Sequence, residues 1–207
     1  GKYVGAFRNG RIHGFGKFTY ENTDSYDGNW KEDKRDGQGT YTHASGAKFI
    51  GGWKDHVKHG VGKYIMKNGD VIEGTWSGGV LQPSAVIMFS NGDRYEGDVV
   101  RCAAHGTGVF SYKNGDTYAG SVKLGRPDGR GVYKEAATGT RYGGSYTAGK
   151  LNGEATEMYE TFRFQGTYCD GHRCGEGKIT FKEDQRSLEA TWAGNDVVGN
   201  AIMTFSS

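Results

Sequence analysis

Proline is almost missing from this chain, with 2 residues in 207. That rules out a proline-rich linker or a polyproline recognition tract. Long apolar runs are missing too. No stretch approaches the 18 or so residues that a membrane-crossing helix needs, and no secretory signal opens the chain. No Asn-x-Ser/Thr sequon occurs. Charge of one sign is not in excess: 26 basic and 24 acidic residues leave a formal +2, so net charge gives no strong pull toward nucleic acid or an anionic membrane. The 3 cysteines are an odd number. They argue against a disulfide framework and fit a reducing cytosol. The first residue is Gly1 rather than methionine, so the chain is expected to be a piece of a longer or processed protein.

What is abundant is glycine, 37 residues, more than twice the ordinary share of about 7%. Disordered segments can be glycine-rich, but they are poor in aromatics, and here aromatics are 13%. The two excesses are spatially ordered. The stretch YDGNWKEDKRDGQGTY, starting at Tyr26, has copies starting at Phe49 (FIGGWKDHVKHGVGKY) and Tyr95 (YEGDVVRCAAHGTGVF). Aligned on the first bulky residue, units start at Tyr3, Tyr26, Phe49, Ile72, Tyr95, Tyr118, Tyr142, Phe164 and Leu188. The step is 23 residues, then 24, 22 and 24 at the last three. Nine units fill residues 1–207 as one array, with no linker and no second domain.

Each unit repeats a rule. Two residues after the first bulky position stands a glycine, such as Gly28 or Gly51, and two later another bulky residue. That second column reads Phe7, Trp30, Trp53, Trp76, Val99, Val122, Tyr146, Tyr168 and Trp192. A Gly-x-Gly pair follows, as at Gly37/Gly39 and Gly60/Gly62, and a third bulky column two positions on contains Phe18, Tyr41, Tyr64, Ile87, Phe110 and Tyr133. Asn-Gly-Asp punctuates several units, at Asn68, Asn91 and Asn114. Spacing of two is the strand period. Each unit therefore reads as strand, polar turn, strand, turn: a β-hairpin. Glycine between two rings lets a large side chain lie flat on the backbone, or lets the strand bend. One unit cannot bury its own rings, but units in series can stack them. The expected fold is all-β: an elongated, single-layer, twisted antiparallel sheet of nine hairpins, roughly 85 Å long at two strands per unit and about 4.8 Å per strand.

YDGNWKEDKRDGQGTY resembles the MORN repeat (membrane occupation and recognition nexus), whose pattern is close to Y-x-G-x-W-x-x-x-x-x-x-G-x-G. The match extends over essentially all of the chain. The resemblance implies stacked hairpins forming a grooved rod, with no enzymatic activity. It also implies scaffolding, protein binding or phospholipid association. A chain made only of such repeats is similar to the cytoskeletal scaffold proteins of protist parasites, which implies a location in the cytoplasm on the cytoskeleton or at the periphery of membranes. Unit four departs from the pattern, with Gln82–Ala85 in place of Gly-x-Gly. Pro83 removes a ladder donor and is expected to introduce a bulge or a change of curvature. Ala155 replaces a glycine in unit seven, where the uneven spacing suggests a slip. Ala190 and Ala201 replace glycines in unit nine.

Chemistry-bearing groups are few. The Gly-x-Gly pairs lack the Lys-Ser/Thr and following helix of a phosphate loop. His56 and His59 have a metal-site spacing, but His59 falls in a column with His13, Asp36, His105 and Asp128, which points to a turn role. Glu154, Glu157 and Glu160 form a carboxylate run with no matched nucleophile or base. Cys169, His172 and Cys174 in unit eight are the residue types zinc prefers. Two readings stand: free thiols in a loop, or a zinc site short of one ligand and closed by water or another chain. No other cofactor is required. The ring columns Tyr3, Phe7, Tyr26, Trp30, Phe49, Trp53, Trp76, Tyr95, Tyr118, Tyr142, Tyr146, Phe164 and Tyr168 either line a groove for lipid or ligand or form the rod's own core, and the core reading is preferred. Basic residues are scattered among acidic ones, whereas lipid recognition wants a basic cluster. An open sheet edge invites pairing. The final strand, Asn200–Phe205, carries no charge to prevent it, so a homodimer is expected through Leu188, Trp192, Val197, Val198, Ile202, Met203 and Phe205. Other scaffold or cytoskeletal proteins are expected partners, with peripheral phospholipid binding the alternative and no nucleic acid.

Overall fold

The computed structural model describes residues 1–205. It contains eighteen antiparallel strands, and no helix among the described residues. The chain divides into two compact units. The first, Gly1–Cys102, holds β1 (Lys2–Arg8), β2 (Arg11–Thr19), β3 (Ser25–Lys31), β4 (Lys34–Thr42), β5 (Lys48–Lys54), β6 (Val57–Ile65), β7 (Val71–Ser77), β8 (Val80–Met88) and β9 (Arg94–Val100). The second, from Ala103 on, holds β10 (Ala103–Ser111), β11 (Thr117–Lys123), β12 (Arg126–Lys134), β13 (Arg141–Thr147), β14 (Lys150–Met158), β15 (Phe162–Cys169), β16 (His172–Phe181), β17 (Ser187–Ala193) and β18 (Asp196–Thr204). Within each unit every strand pairs with its neighbours in sequence. The period-two reading of an all-β hairpin array is therefore correct.

The glycine columns meet across the ladders. In the first unit Gly16 faces Gly28, Gly39 faces Gly51, and Gly62 faces Gly74. In the second, Gly108 faces Gly120, Gly131 faces Gly144, and Gly166 faces Gly177. The result in each unit is a trough without side chains. Rings of the first bulky column lie in it. A β-carbon on Gly39 would come within 2.6 Å of Tyr26 Cε2, and one on Gly177 within 2.6 Å of Phe164 Cζ. Tyr26, Phe49, Ile72, Tyr95, Tyr118 and Phe164 are fully buried there. Rings of the second column close the ladder edge-on: Tyr26 contacts Trp30 at 5.1 Å and Trp53 at 5.3 Å, and Phe49 contacts Trp53 at 5.4 Å and Trp76 at 5.2 Å. Perpendicular packing sets a ring's positive edge against a negative face.

The first strand of most repeats has seven residues and the second nine. The surplus sits in a bulge. Between Gly28↔Gly39 and Trp30↔Arg35, Asn29 alone opposes three residues, and the same irregularity recurs at Gly51/Trp53 and Gly144/Tyr146, whereas in β15–β16 and β17–β18 two residues of the second strand are opposed by none. The bulge frees a carbonyl that the buried tyrosine reclaims: Tyr26 Oη donates to Asn29 O at 3.0 Å, and Tyr118 Oη to Ser121 O at 2.8 Å. The first glycine of the Gly-x-Gly pair supplies the left-handed backbone this requires, with Gly37 at φ 103. The bulge expected at Pro83 is thus no peculiarity of unit four, since the hairpins of repeats one, two, three, six and seven have the same one. Pro83, whose φ is locked negative, removes something else. The β8–β9 ladder begins at Ser84↔Asp98, whereas β4–β5 reaches Gly37↔Trp53.

The slip expected at unit seven does not occur either. Gly144 pairs with Ala155 in the standard register. The uneven spacing is absorbed in the turns between repeats. Thr42↔Lys48 brackets five residues, Lys134↔Arg141 six, Met158↔Arg163 four and Thr180↔Ser187 six. Turns within repeats are always two residues, both left-handed, even where neither is glycine: Glu32 and Asp33 have φ 49 and 69, Asp55 and His56 φ 47 and 71. Their backbone matches the strand twist. They are also tied sideways to the preceding repeat, with Asp33 N donating to Ile12 O at 3.0 Å and His56 N to Arg35 O at 3.1 Å. Such lateral bonds hold residues in a conformation that costs them energy in isolation.

Candidate functional site

The ring columns are core rather than groove. Of the residues expected to line one, Tyr26, Trp30, Phe49, Trp53, Trp76, Tyr95, Tyr118, Tyr146, Phe164 and Tyr168 are buried, Tyr3 and Tyr142 are half-buried, and Phe7 is exposed. Above them runs a column that the sequence reading passed over, nine residues after each repeat's start. Arg35 stands there with its guanidinium 4.4 Å from the Trp53 ring and 5.1 Å from Tyr41. Lys58 Nζ lies 4.6 Å from both Tyr64 and Trp76, and burial among these rings lowers its pKa. Arg173 lies 4.4 Å from Phe164 and 5.0 Å from Trp192. Cations so placed are held by the ring quadrupoles. Three basic residues in one column were the available signal.

Around Arg173 the second unit forms an open concavity of about 630 Å³. The turn and strands of repeat seven supply Lys150, Leu151, Tyr142, Tyr146 and Glu157. Repeat six supplies Tyr133, repeat eight Tyr168 and Arg173, and the inter-repeat turn Tyr159. Arg173 binds Glu157 with both arms, Nε to Oε1 at 2.9 Å and Nη2 to Oε2 at 2.6 Å, and the two side chains are 12% and 4% exposed. Tyr146 Oη donates to Tyr142 O at 2.8 Å, and Tyr142 Oη to Glu135 Oε1 at 3.2 Å. Burial raises the pKa of Tyr142, and contact with Tyr159 and Glu135 adds to it. Burial also raises that of Tyr159, assisted by its bond to Glu157. These hydroxyls stay protonated and act as hydrogen-bond donors. Tyr168 Oη is buried with no partner among the described residues. The concavity thus presents amphipathic tyrosines beside a paired arginine, residue types enriched at binding hot spots.

Glu154, Glu157 and Glu160 do not converge. Odd separation on a strand sends Glu154 to the opposite face from Glu157, where its Oε1 accepts from Thr167 Oγ1 at 2.9 Å, and Glu160 lies in a turn. His56 is a turn residue whose Nδ1 accepts from Arg35 N at 3.4 Å, and burial lowers its pKa. Asp128, in the column that suggested a turn role, accepts from Ala148 N at 3.2 Å in the next repeat.

Both readings of Cys169, His172 and Cys174, as free thiols in a loop or as zinc ligands, are corrected. Cys169 and Cys174 are bonded to each other, with Cα atoms 5.9 Å apart, so neither sulfur is a thiolate ligand. His172 Nδ1 instead lies 3.3 Å from Asn195 Nδ2. Among the described residues no group of three His, Cys, Asp or Glu is placed to hold a metal. Cys102 is the free thiol among them. Of the residues expected at a dimer contact, Trp192 is buried against Phe164 at 5.3 Å and Leu188 is half-buried. Val197, Val198, Ile202, Met203 and Phe205 are exposed, and all of β18 is exposed.

Among solved structures, the chain is similar to the TCP10 domain of Danio rerio CPAP, at 12% identity over 91% of this chain and 93% of that one, with a TM-score of 0.44. It is also similar to the SAS-4 (dCPAP) TCP domain of Drosophila melanogaster, solved in complex with a proline-rich motif of Ana2 (dSTIL), at 12% identity over 82% and 90% of the two chains and a TM-score of 0.38. No curated protein matches the sequence. The family model for the MORN repeat matches residues 3–25, 26–48, 49–71, 95–117, 118–134 and 164–186. The unmatched stretches include Pro83, Ala155, Ala190 and Ala201, where the glycine rule lapses. With more than half of its length matched in register with the ring-on-glycine ladder, the chain belongs to the MORN repeat family.

Proposed function

We propose that this protein is a non-enzymatic scaffold that docks a partner protein on its ring-bearing face, at the concavity walled by Tyr133, Tyr142, Tyr159, Tyr168 and Arg173. The concavity itself carries the reading. It is open, rich in tyrosine, and holds the Arg173 guanidinium fixed by Glu157. Basic and acidic side chains alternate on the exposed face, as in the pairs Lys63–Glu73 and Lys178–Glu189. That pattern favours a protein partner over an anionic membrane. We place the protein in the cytoplasm on cytoskeletal structures, and self-association at β18 through Ile202, Met203 and Phe205 belongs to the same reading.

The test is capture by the immobilised chain, with Tyr142→Ala/Tyr159→Ala compared against Phe15→Ala on the far side of the first unit. A partner lost with the double variant and kept with the control supports docking at the concavity. A partner retained by both, or strong pelleting of the protein with anionic vesicles at physiological salt, overturns it. Light scattering checks self-association: wild type is expected to be dimeric at micromolar concentration, and a chain ending at Arg186 monomeric.

A further inference from the structure

We propose that the Cys169–Cys174 disulfide is a reversible clamp on the tyrosine-lined concavity, closed in the oxidised form and released by a dithiol reductant. The proposal rests on the docking role of that concavity. Cys169 and Cys174 flank the cross-strand pair Tyr168↔Arg173, the two residues through which repeat eight walls the site. Side chains alternate along a strand, so the disulfide lies on the opposite face from those two. It acts on them through the backbone and does not block the cavity.

The fold does not need this bond. The other repeats close the same two-residue turn with different residues at the two positions: Lys31 and Asp36, Lys54 and His59, Lys123 and Asp128, Thr147 and Asn152. Asp170 and Gly171 take up the usual left-handed pair at φ 53 and 87, and Cys169↔His172 is already in the ladder. The loop closed by the disulfide spans 5 positions, so its entropic contribution to folding is at the low end of the range for disulfides. Cys169 is also exposed and open to attack. Exposed disulfides are the labile and regulatory ones, and in a reducing compartment such a bond forms transiently.

In the proposed clamp the bond steadies the backbone beside Arg173, whose side chain, unlike that of Arg35, reaches a carboxylate on the neighbouring repeat. The arm from repeat eight to Glu157 of repeat seven, and its seat over Phe164 and Trp192, depend on where the β16 backbone runs next to Cys174. Release is a two-electron exchange. A thiolate of the reductant attacks Cys169 Sγ, and Cys174 leaves as a thiolate and takes up a proton. The reductant's second thiol then displaces Cys169, giving two protein thiols and one oxidised dithiol.

The experiment uses the full chain with dithiothreitol as the reductant. Maleimide labelling counts the thiols, and hydrogen exchange is read over residues 157–192. Reduction is expected to expose the Cys169 and Cys174 thiols to label and to speed exchange several-fold around Glu157, Arg173 and Trp192, leaving residues 26–76 unchanged. Cys169→Ser/Cys174→Ser should exchange like reduced wild type and ignore the reductant. A disulfide that survives a large excess of dithiothreitol, or complete reduction with unchanged exchange over 157–192, overturns the clamp. No partner enters this measurement. A failed capture experiment therefore removes the docking reading alone, and unchanged exchange removes the clamp alone.

Discussion

Arg173 and Glu157 stand on neighbouring repeats and hold each other by two hydrogen bonds beneath a wall of tyrosines. A buried pair of this kind is far more sensitive to losing one member than to losing both. Glu157→Ala leaves a guanidinium unpaired and is expected to cost about 3–5 kcal/mol, while Glu157→Leu/Arg173→Met is expected to be close to neutral. Urea unfolding of the three proteins decides this. Equal losses for the single and double variants would show that the pair is a net stabiliser.

The trough predicts which glycines can be replaced. Gly39→Ala places a methyl group against the Tyr26 ring, and the ring has nowhere else to go. Overpacking of this sort costs about 1–3 kcal/mol. Gly39→Ala combined with Tyr26→Leu should cost less than the sum of the two single changes, because the clash disappears. Strict additivity in thermal unfolding would show that ring and glycine do not interlock.

Trp53 lies between Tyr26 and Phe49 and donates Nε1–H to Gly39 O at 3.2 Å. Trp53→Ala is expected to cost about 3–5 kcal/mol. The array couples nearest neighbours, so hydrogen exchange should rise over residues 26–76 and stay unchanged over residues 141–192. Uniform loss throughout the chain would refute nearest-neighbour coupling.

Carboxylates tie successive inter-repeat turns together, and two of them also hold a tyrosine. Asp24 accepts from Tyr41 Oη at 2.6 Å and from Ala44 N at 2.7 Å. Asp116 accepts likewise from Tyr133 Oη and Ala136 N. The tyrosine hydroxyl first, and then the backbone N–H, hold both acids below the ordinary carboxylate range. In return, burial first and the carboxylate second push Tyr41 up to about 12. A carboxylate with a lowered folded pKa stabilises the fold above its unfolded value, near 3.9, and that stabilisation is lost as pH falls through the folded value. Asp24→Asn/Asp116→Asn should therefore unfold with a shallower pH dependence between about pH 5 and pH 2. Parallel curves for variant and wild type would contradict the assignment.

The columns were legible because each is repeated. Tyr26, Phe49 and Tyr118 announce one environment three times, and the glycines beside them announce its cause. The features that escaped are those a repeat average hides. Arg35, Lys58 and Arg173 share a column with Ile12, Leu81 and Ala104, so the cation over the rings does not show as a rule. The disulfide occurs in repeat eight alone. The concavity combines Tyr133 and Tyr142, which the pattern marked, with Tyr159, which lies in a shortened turn outside the pattern. Turns such as Glu32–Asp33 carry none of the usual glycine or asparagine signals, because a hydrogen bond to the preceding repeat, not local preference, secures their backbone.

The two margins of each unit differ in their tolerance of length. Turns within a repeat never depart from two residues, and turns between repeats vary from four to six with the ladder on either side unmoved. Peptide tags, reporter loops or whole recognition segments inserted at Ala136–Gly139 or Glu183–Gln185 should leave the register intact, whereas the same insertion at Ala148–Gly149 should throw it out. A natural lineage drifting by single-codon gains and losses has the same freedom, so divergence in length and in surface should accumulate along one rim of the sheet and leave the other nearly constant.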